Sequence, residues 1–496
     1  MSMRARLIAA VLGALCICAG IVQLERERSG LVIAQILVGK TPATVYQRIG
    51  NAKAPAVVIA HGFAGSRQLM EAYALTLARA GYVVVSFDFE GHGRNPTPMS
   101  GDVASVDGTT QILMREVSRV IDAALALPGG DGRVAILGHS MATDIIVRQA
   151  ITDPRIAATI AVSMFSEAVT ASQPRNLLIV SGEWEALLRQ DALRNLRLAD
   201  PSVSEGTTVG DPATGNGRRA VVGPNVEHVG VLYSATALRE ARAWLDAVFG
   251  RNSSGPVSAI GIPIVLLLLG VVGLAWPLAG LLPKGETAPA PLSLPTFLLA
   301  AVVPAVVTPL ILSFVETRFL PVLVADYLAA HLLAYGMTSL AIMKWRGIRC
   351  GQVAWVSALA LMGYGIFVFG GALDRYVASF WPTTPRMPII GAIAIGALPF
   401  MVADSLITDA GRAALWRVLA ARGIFIGSLA AAVALDFKRL FFLLIIIPVI
   451  VLFFTIFGLM GGCVGRRSGS PCAAGIGLGL VLAWALGVSF PMFAPG

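Results

Sequence analysis

Hydrophobic residues follow two different patterns along the chain, and the change between them comes near residue 255. Between residues 31 and 250, short β-branched runs alternate with longer amphipathic stretches. After residue 255 the chain consists of long apolar runs with short polar breaks. The first pattern is typical of alternating strands and helices, and the second of helices that span a bilayer.

The alternating part predicts the α/β class, with a mostly parallel sheet and helices on both faces. Strands that are buried on both faces read as continuous apolar runs. An opening hairpin is predicted at 31–38 and 43–48, followed by buried strands at 56–60, 82–87, 134–137, 158–164 and 176–181. Helical patterns lie near 67–80, 106–127, 141–152, 186–198 and 229–249. In such a sheet the binding and catalytic residues lie at the carboxyl ends of the strands.

The apolar part predicts nine membrane spans in all. Leu7–Leu24 is long enough to cross a bilayer, and without a clear A-x-A site before Glu25 an uncleaved signal anchor is favoured over a cleaved signal peptide. Eight more runs follow at 259–282, 294–314, 321–343, 353–373, 387–407, 418–437, 440–463 and 473–493. The predicted domains are an anchor at 1–24, an α/β domain at 25–255 and a polytopic membrane domain at 256–496.

Composition and charge support a membrane protein and exclude a nucleic-acid surface. The chain is 56% hydrophobic and 14% charged, with a mean hydropathy of +0.75. Its net charge of +9 lies outside residues 25–258, where 22 basic and 22 acidic residues balance. The basic excess therefore belongs to membrane loops rather than to a surface that binds nucleic acid.

The distribution of basic residues predicts the orientation. With the N-terminus in the cytoplasm, eleven basic residues lie on the cytoplasmic side: Arg4, Arg6, Lys284, Lys344, Arg346, Arg349, Arg412, Arg417, Arg422, Arg466 and Arg467. Five lie in the short loops opposite: Arg318, Arg375, Arg386, Lys438 and Arg439. The positive-inside rule then predicts an integral protein of the bacterial inner (plasma) membrane, with the α/β domain and the C-terminus on the periplasmic or extracellular side.

Cysteine and histidine spacing gives no sign of a bound group. The five cysteines, at positions 16, 18, 350, 463 and 472, lie in or near the apolar runs, so the α/β domain holds no disulfide. The sequence has no His/Cys cluster with metal-ligand spacing and no glycine loop that would cradle a phosphate. We expect neither a metal nor a cofactor. Asp326, His331 and Asp404 lie at membrane depth and are either interhelical polar contacts or functional groups.

Three motifs follow strands of the α/β part. Gly138-His-Ser-Met-Ala142 places Ser140 between a strand and a helix, where a strained turn exposes the hydroxyl of a nucleophile. His61-Gly-Phe-Ala-Gly-Ser66 predicts a loop whose N–H groups hold an oxyanion, and Phe63 and Met141 are the expected donors. Asp88-Phe-Glu-Gly-His-Gly-Arg94 is interpreted as a structural turn.

Together, H-G-F-x-G-S, D-x-x-G-H-G and G-H-S-M-A over residues 31–250 resemble the α/β-hydrolase superfamily, in particular its serine esterase, lipase-like and dienelactone-hydrolase-like branches. The resemblance implies the order nucleophile, acid, base. Of the five histidines, only His228 lies outside both the motifs and the apolar runs, at the position where the family has its base. Glu185 matches the family position of the acid, and Glu183 is the competing assignment. Ala142 replaces the second glycine of the family pattern.

These residues predict a membrane-bound serine hydrolase that cleaves carboxylic esters, with an ester or lipid-like substrate and membrane lipids as partners. Only about a dozen residues, 165–176, separate two strands where many relatives insert a lid, so we expect an open site that the bilayer or the spans close. The alternative is a transporter or sensor whose hydrolase-like domain binds a ligand without turnover.

Overall fold

The computed structural model describes residues 3–50, 52–102, 106–285, 292–322 and 324–494. The chain divides into two compact units. The α/β unit comprises Gly20–Val265 with two short later segments, Asp374–Ser379 and Pro491–Gly496. The helical unit comprises Met1–Ala19, Leu266–Leu373 and Phe380–Phe490.

The α/β unit is built on one sheet of nine strands in the order β1-β2-β4-β3-β5-β6-β7-β9-β8. The strands are β1 Leu31–Val38, β2 Thr41–Arg48, β3 Ala54–Ala60, β4 Val83–Phe87, β5 Gly130–His139, β6 Ile156–Val162, β7 Leu177–Gly182, β8 Thr208–Val209 and β9 Arg218–Gly223. All pairs from β4 to β9 are parallel. The β1–β2, β2–β4 and β8–β9 pairs are antiparallel. The predicted α/β class with a mostly parallel sheet is confirmed.

Four helices of this unit connect parallel strands, and the fifth follows the last strand. They are α2 Glu71–Arg79, α3 Gln111–Leu125, α4 Met141–Thr152, α5 Ala186–Arg197 and α6 Ala235–Phe249. The strand order turns back between β4 and β5, so right-handed crossovers place α2 on one face and α3, α4 and α5 on the other. Because helices cover both faces, β3 and β7 are buried along their whole length.

The sequence analysis missed β8 and β9. The run that forms β9 begins with Arg218 and Arg219, so too few apolar residues follow each other for the hydrophobic pattern to indicate a buried strand. Arg218 is nevertheless buried, because its guanidinium donates to the backbone carbonyls of Thr170, Gln173 and Asn195. Carbonyl acceptors on neighbouring loops thus allow a charged residue inside the sheet.

The helical unit consists of long apolar helices. The helices outside the α/β fold are α1 Met3–Arg28, α7 Gly261–Ala279, α8 Leu294–Leu312, α9 Ala325–Trp345, α10 Trp355–Gly363, α11 Gly370–Tyr376, α12 Arg386–Ile407, α13 Leu415–Leu435, α14 Phe437–Leu440, α15 Leu443–Ser468 and α16 Pro471–Ser489. Among the described residues, eight helices are long and apolar enough to cross a membrane, with α10 and α11 counted as one, Trp355–Tyr376. The remaining predicted span, 321–343, forms α9. This helix is long enough to cross a membrane, but it is less apolar because it contains Asp326 and His331.

Polar side chains link the helices of this unit. The guanidinium of Arg422 donates to both carboxylate oxygens of Asp404 across α13 and α12. His331 Nε2 lies 3.1 Å from Ser428 Oγ, which links α9 to α13. Cys350 and Cys472 form a disulfide that the sequence analysis did not anticipate.

Candidate active site

Ser140 lies on the sharp turn between β5 and α4. Its φ and ψ are 53° and −120°, in a region that residues other than glycine rarely adopt. A Cβ at Gly138 would lie 2.9 Å from Ile146 Cδ1 and 3.1 Å from Ala142 Cβ. Gly138 therefore leaves the space that the methyl group of Ala142 occupies, which explains how this turn forms without the second glycine.

His228 lies in the loop after β9 and contacts both other members of the predicted triad. Its Nε2 is 2.9 Å from Ser140 Oγ, and its Nδ1 is 2.5 Å from Glu185 Oε1. The carboxylate accepts a hydrogen bond from Nδ1–H, so Nε2 is left as the acceptor for the serine hydroxyl. The structure thus joins Ser140, His228 and Glu185 in one chain of hydrogen bonds.

Glu185 is buried at the end of β7 with three donors around its carboxylate. Oε1 accepts from His228, while Oε2 accepts from the Gly182 N–H at 2.6 Å and the Ser163 hydroxyl at 2.8 Å. Burial alone would raise the pKa of Glu185, but these hydrogen bonds outweigh it and hold that pKa below its ordinary value. The carboxylate is therefore charged at neutral pH.

The competing acid, Glu183, does not reach the histidine. Its side chain is exposed and accepts a hydrogen bond from the backbone N–H of Asn225 at 2.7 Å. Two residues along the same turn, Glu185 points to His228 instead. The structure brings Glu185, and not Glu183, to the base.

Two contacts of this site were missed by the sequence analysis. Ser163 follows β6 with a φ of 54° and reaches Glu185 from the neighbouring strand. His139 is buried beneath the histidine loop, where its Nε2 donates to the backbone carbonyl of His228 at 2.9 Å. Burial is the main cause that lowers the pKa of His139 to about 4, so this imidazole is neutral. In the sequence, the position of Ser163 at the end of a strand was the available signal for the first contact. The position of His139 beside Ser140 was the signal for the second.

The loop after β3 lies against Ser140. A Cβ at Gly62 would lie 3.0 Å from Ser140 Cβ, so the backbone beside Phe63 passes close to the serine. His61 fixes this loop, because its Nε2 accepts from the Phe89 N–H at 3.1 Å and its Nδ1 donates to the Gly62 carbonyl at 2.8 Å. Met141, the other expected donor, is the first residue of α4 and directly follows Ser140.

The loop after β4 has a structural role, as its motif indicated. Asp88 is fully buried and accepts hydrogen bonds from the backbone N–H groups of Arg67 and Arg94 and from the Arg67 guanidinium. This carboxylate therefore joins the loop after β4 to the segment that follows the His61–Ser66 motif.

Two segments from late in the chain complete these loops within the α/β unit. The Ser379 N–H donates to Ser66 Oγ at 3.0 Å, and Asp374 forms an ion pair with Arg94. The last described residues pair with the same region, since the Met99 N–H donates to the Met492 carbonyl at 2.8 Å and the Met492 N–H donates to the Gly91 carbonyl at 2.9 Å. Segments far apart in sequence thus hold the loops that follow β3 and β4.

The loops at the carboxyl ends of β6 and β7 and the first turn of α5 carry exposed apolar side chains. Phe165, Trp184 and Leu187 are all more than half exposed. Phe165 is tied to α4, the helix that follows Ser140, because its N–H donates to Thr143 Oγ1 at 3.0 Å, and Trp184 adjoins Glu185. Residues 163–176, which join β6 to β7, form no helix that could cover the site. Among the described residues no group of three or more His, Cys, Asp or Glu side chains could hold a metal.

A mostly parallel sheet with this strand order and a serine on the turn after β5 is the arrangement of the α/β-hydrolase fold. Comparison with known families agrees: the family described as serine aminopeptidase, S33, matches residues 51–204. The resemblance to the α/β-hydrolase superfamily is confirmed over this part of the chain.

Other comparisons give distant likenesses. One solved structure is a membrane phospholipase A, described as a bacterial virulence factor, at 15% identity over 48% of this chain and 93% of that chain, with a TM-score of 0.32. A second is an inferred lipase from Acinetobacter baumannii AYE, at 17% identity over 47% of this chain and 96% of that chain, with a TM-score of 0.32. No curated protein is significantly similar to the sequence.

Proposed function

We propose that the protein is a membrane-bound serine hydrolase that cleaves carboxylic esters through an acyl-enzyme. The hydrogen-bonded chain from Ser140 through His228 to Glu185 is the observation that carries this proposal. A serine hydroxyl is a weak nucleophile until a base takes its proton, and the base needs a fixed tautomer to do so.

The reaction would proceed in two halves. Ser140 Oγ attacks the ester carbonyl carbon as its proton passes to His228 Nε2, and the C=O electron pair moves to the oxygen. The backbone N–H groups of Phe63 and Met141 would stabilise that oxyanion. Collapse then breaks the ester C–O bond, and the leaving alcohol takes the proton from His228. Water attacks the acyl-enzyme in the same way, releasing the acid and restoring Ser140.

The surroundings of the site favour esters with long acyl chains. The exposed Phe165, Trp184 and Leu187 offer apolar surface beside the triad, and the short connection before β7 leaves the site without a lid. Burial of each CH₂ group contributes about 0.8 kcal/mol, so an acyl chain gains affinity along such a surface. We therefore infer lipid or acyl esters as the substrate class.

The composition of the α/β unit supports the proposed topology. Asp374–Ser379 and the residues from Pro491 belong to the same unit as the residues before Val265, so a chain that spans a membrane needs an even number of crossings between them. Between Val265 and Asp374 this count is even only if α9 crosses together with α7, α8 and Trp355–Tyr376. We propose nine spans, with the α/β unit on the periplasmic or extracellular side as the basic residues indicate.

Covalent labelling tests the catalytic proposal on the full chain. A fluorophosphonate probe should label the wild type and the Ser166→Ala variant but not Ser140→Ala. Ser166 is a suitable control because this serine also contacts α4 but donates to Asp144, outside the triad. Labelling of Ser140→Ala at the wild-type rate would exclude Ser140 as the nucleophile. Absence of turnover on esters of every chain length would favour the ligand-binding alternative.

A reporter and cysteine labelling test the topology. A reporter fused after Gly250 should be external, and cysteines introduced at 344–349 should react only with permeant reagents. An internal reporter would reverse the proposed orientation.

A further inference from the structure

The helical unit contains a cavity that no part of the proposed reaction uses. Its volume is about 640 Å³, and α12, α13, α15 and α16 surround it. Most of its lining is apolar, and several of the apolar residues at its edge, such as Leu419 and Leu459, are more than half exposed on the helix surfaces. The cavity therefore opens sideways between α13 and α15.

Its length suits a hydrocarbon chain. The lining residues run from Leu415 to Ile426 on α13 and from Val451 to Arg466 on α15. At 1.5 Å per residue these stretches are about 17 and 22 Å long. One leaflet of a bilayer contributes roughly 15 Å of hydrocarbon, half of the apolar core. The opening can thus hold one acyl chain over the depth of a leaflet.

Charged groups inside the cavity give it a positive balance. Arg422 lines it, and its guanidinium donates three hydrogen bonds: two to Asp404 and one to the Phe454 carbonyl at 3.0 Å. A guanidinium has five N–H donors, so two are left for a ligand. Arg466 also lines the cavity, at the end where the basic loops lie, and no carboxylate in the lining balances its charge.

Glycine makes room for this arrangement. A Cβ at Gly458 would lie 2.6 Å from Arg422 Nη1, so a larger residue on α15 would displace the guanidinium. At Gly423 of α13 a Cβ would meet nothing within 4 Å, because that side of the helix faces the cavity. The space is thus shaped by residues on both walls.

We propose that this cavity binds an anionic amphiphile, with its acyl chain between α13 and α15 and its acidic headgroup at Arg466. An apolar slot with a net positive charge at one end matches a phospholipid that carries a phosphate diester. Basic residues at the cytoplasmic surface attract anionic lipids in the same way. This inference concerns the helical unit and is independent of ester hydrolysis.

Photolabelling of the full-length protein in detergent tests the proposal. A phosphatidylglycerol probe with a diazirine on its acyl chain should label peptides of α13 and α15. Gly423→Leu should reduce this labelling at least about fivefold by filling the cavity, and Leu also raises helix propensity. Gly427→Leu is the matched control, since Gly427 has equally open space on the same helix but does not line the cavity.

The charge is tested by a neighbouring pair of arginines. Arg466→Gln should lower labelling about fivefold. Arg467→Gln should leave it unchanged, because the Arg467 guanidinium donates to the Leu282 carbonyl outside the cavity. Equal labelling by a phosphatidylcholine probe would overturn the anionic headgroup. Full competition by inorganic phosphate would show that the acyl chain does not contribute to binding. Unchanged labelling of Gly423→Leu would show that the cavity is not the binding site.

Discussion

Replacing Glu185 by Gln should abolish the base without moving it. In the wild type, Oε2 faces two donors, the Gly182 N–H and the Ser163 hydroxyl, whereas Oε1 faces only His228. The amide oxygen of Gln would therefore take the Oε2 position, and its NH₂ group would turn to His228. An amide donor there requires an unprotonated Nδ1, so the proton moves to Nε2 and points at Ser140.

The magnitude follows from that change of tautomer. Loss of tautomer control in a triad lowers kcat about 10⁴-fold, or about 5 kcal/mol of transition-state stabilisation. Glu183→Gln is the matched control, because this exposed side chain accepts only the Asn225 N–H and should cost less than about threefold.

The assay is hydrolysis of an activated ester by the full-length protein, with initial rates over a range of substrate concentrations. We expect the loss to fall on kcat, since Glu185 contacts the base rather than the substrate. A larger loss for Glu183→Gln than for Glu185→Gln would refute the reasoning. A loss confined to KM would place Glu185 in substrate binding instead.

Three further changes test other parts of the structure. Ser163→Ala removes the hydroxyl that donates to Glu185 and should lower kcat about tenfold in the same assay, with KM unchanged. Because the folded state depresses the pKa of His139 to about 4 from 6.5, the unfolded chain binds more protons between these values. Stability should therefore fall by up to about 3 kcal/mol as pH drops from 6.5 to 4, and thermal unfolding of His139→Gln across this range should show a smaller fall. Cys350 and Cys472, which form a disulfide in the structure, adjoin the predicted cytoplasmic loops, where thiols are kept reduced, so this disulfide conflicts with the proposed orientation. Alkylation of intact growing cells with a permeant reagent decides between them: two reactive thiols would support the proposed orientation, and a disulfide would reverse it.

The sequence was most informative where burial alone determines the structure. Strands such as β3 and β7 appear as uninterrupted apolar runs because helices cover both faces. β9 was missed because the guanidinium of Arg218 finds its acceptors in carbonyls that come from other loops, and no local pattern records such partners. α9 was predicted despite its polar residues, which find partners on other helices, as His331 does with Ser428.

For the candidate site, the motifs located the serine and its loop but could not choose the acid. Glu183 and Glu185 follow the same strand and have the same chemistry. The difference between them arises from the backbone turn after β7, which buries Glu185 against Ser163 and leaves Glu183 exposed. Such a turn depends on contacts between strands, so the spacing of residues in sequence does not reveal it.

The late segments that join the α/β unit also bear on how the protein is made. About 230 residues must be translated after Val265 before Met492 can pair with Gly91 and Met99. At 5–20 residues per second, this takes about 10–50 s. During that time the loops after β3 and β4 lack their partners from 374–379 and 491–494. The proposed hydrolase would thus gain its finished site only after its last helix has been synthesised, so the membrane at the site of insertion would meet no complete active site before then.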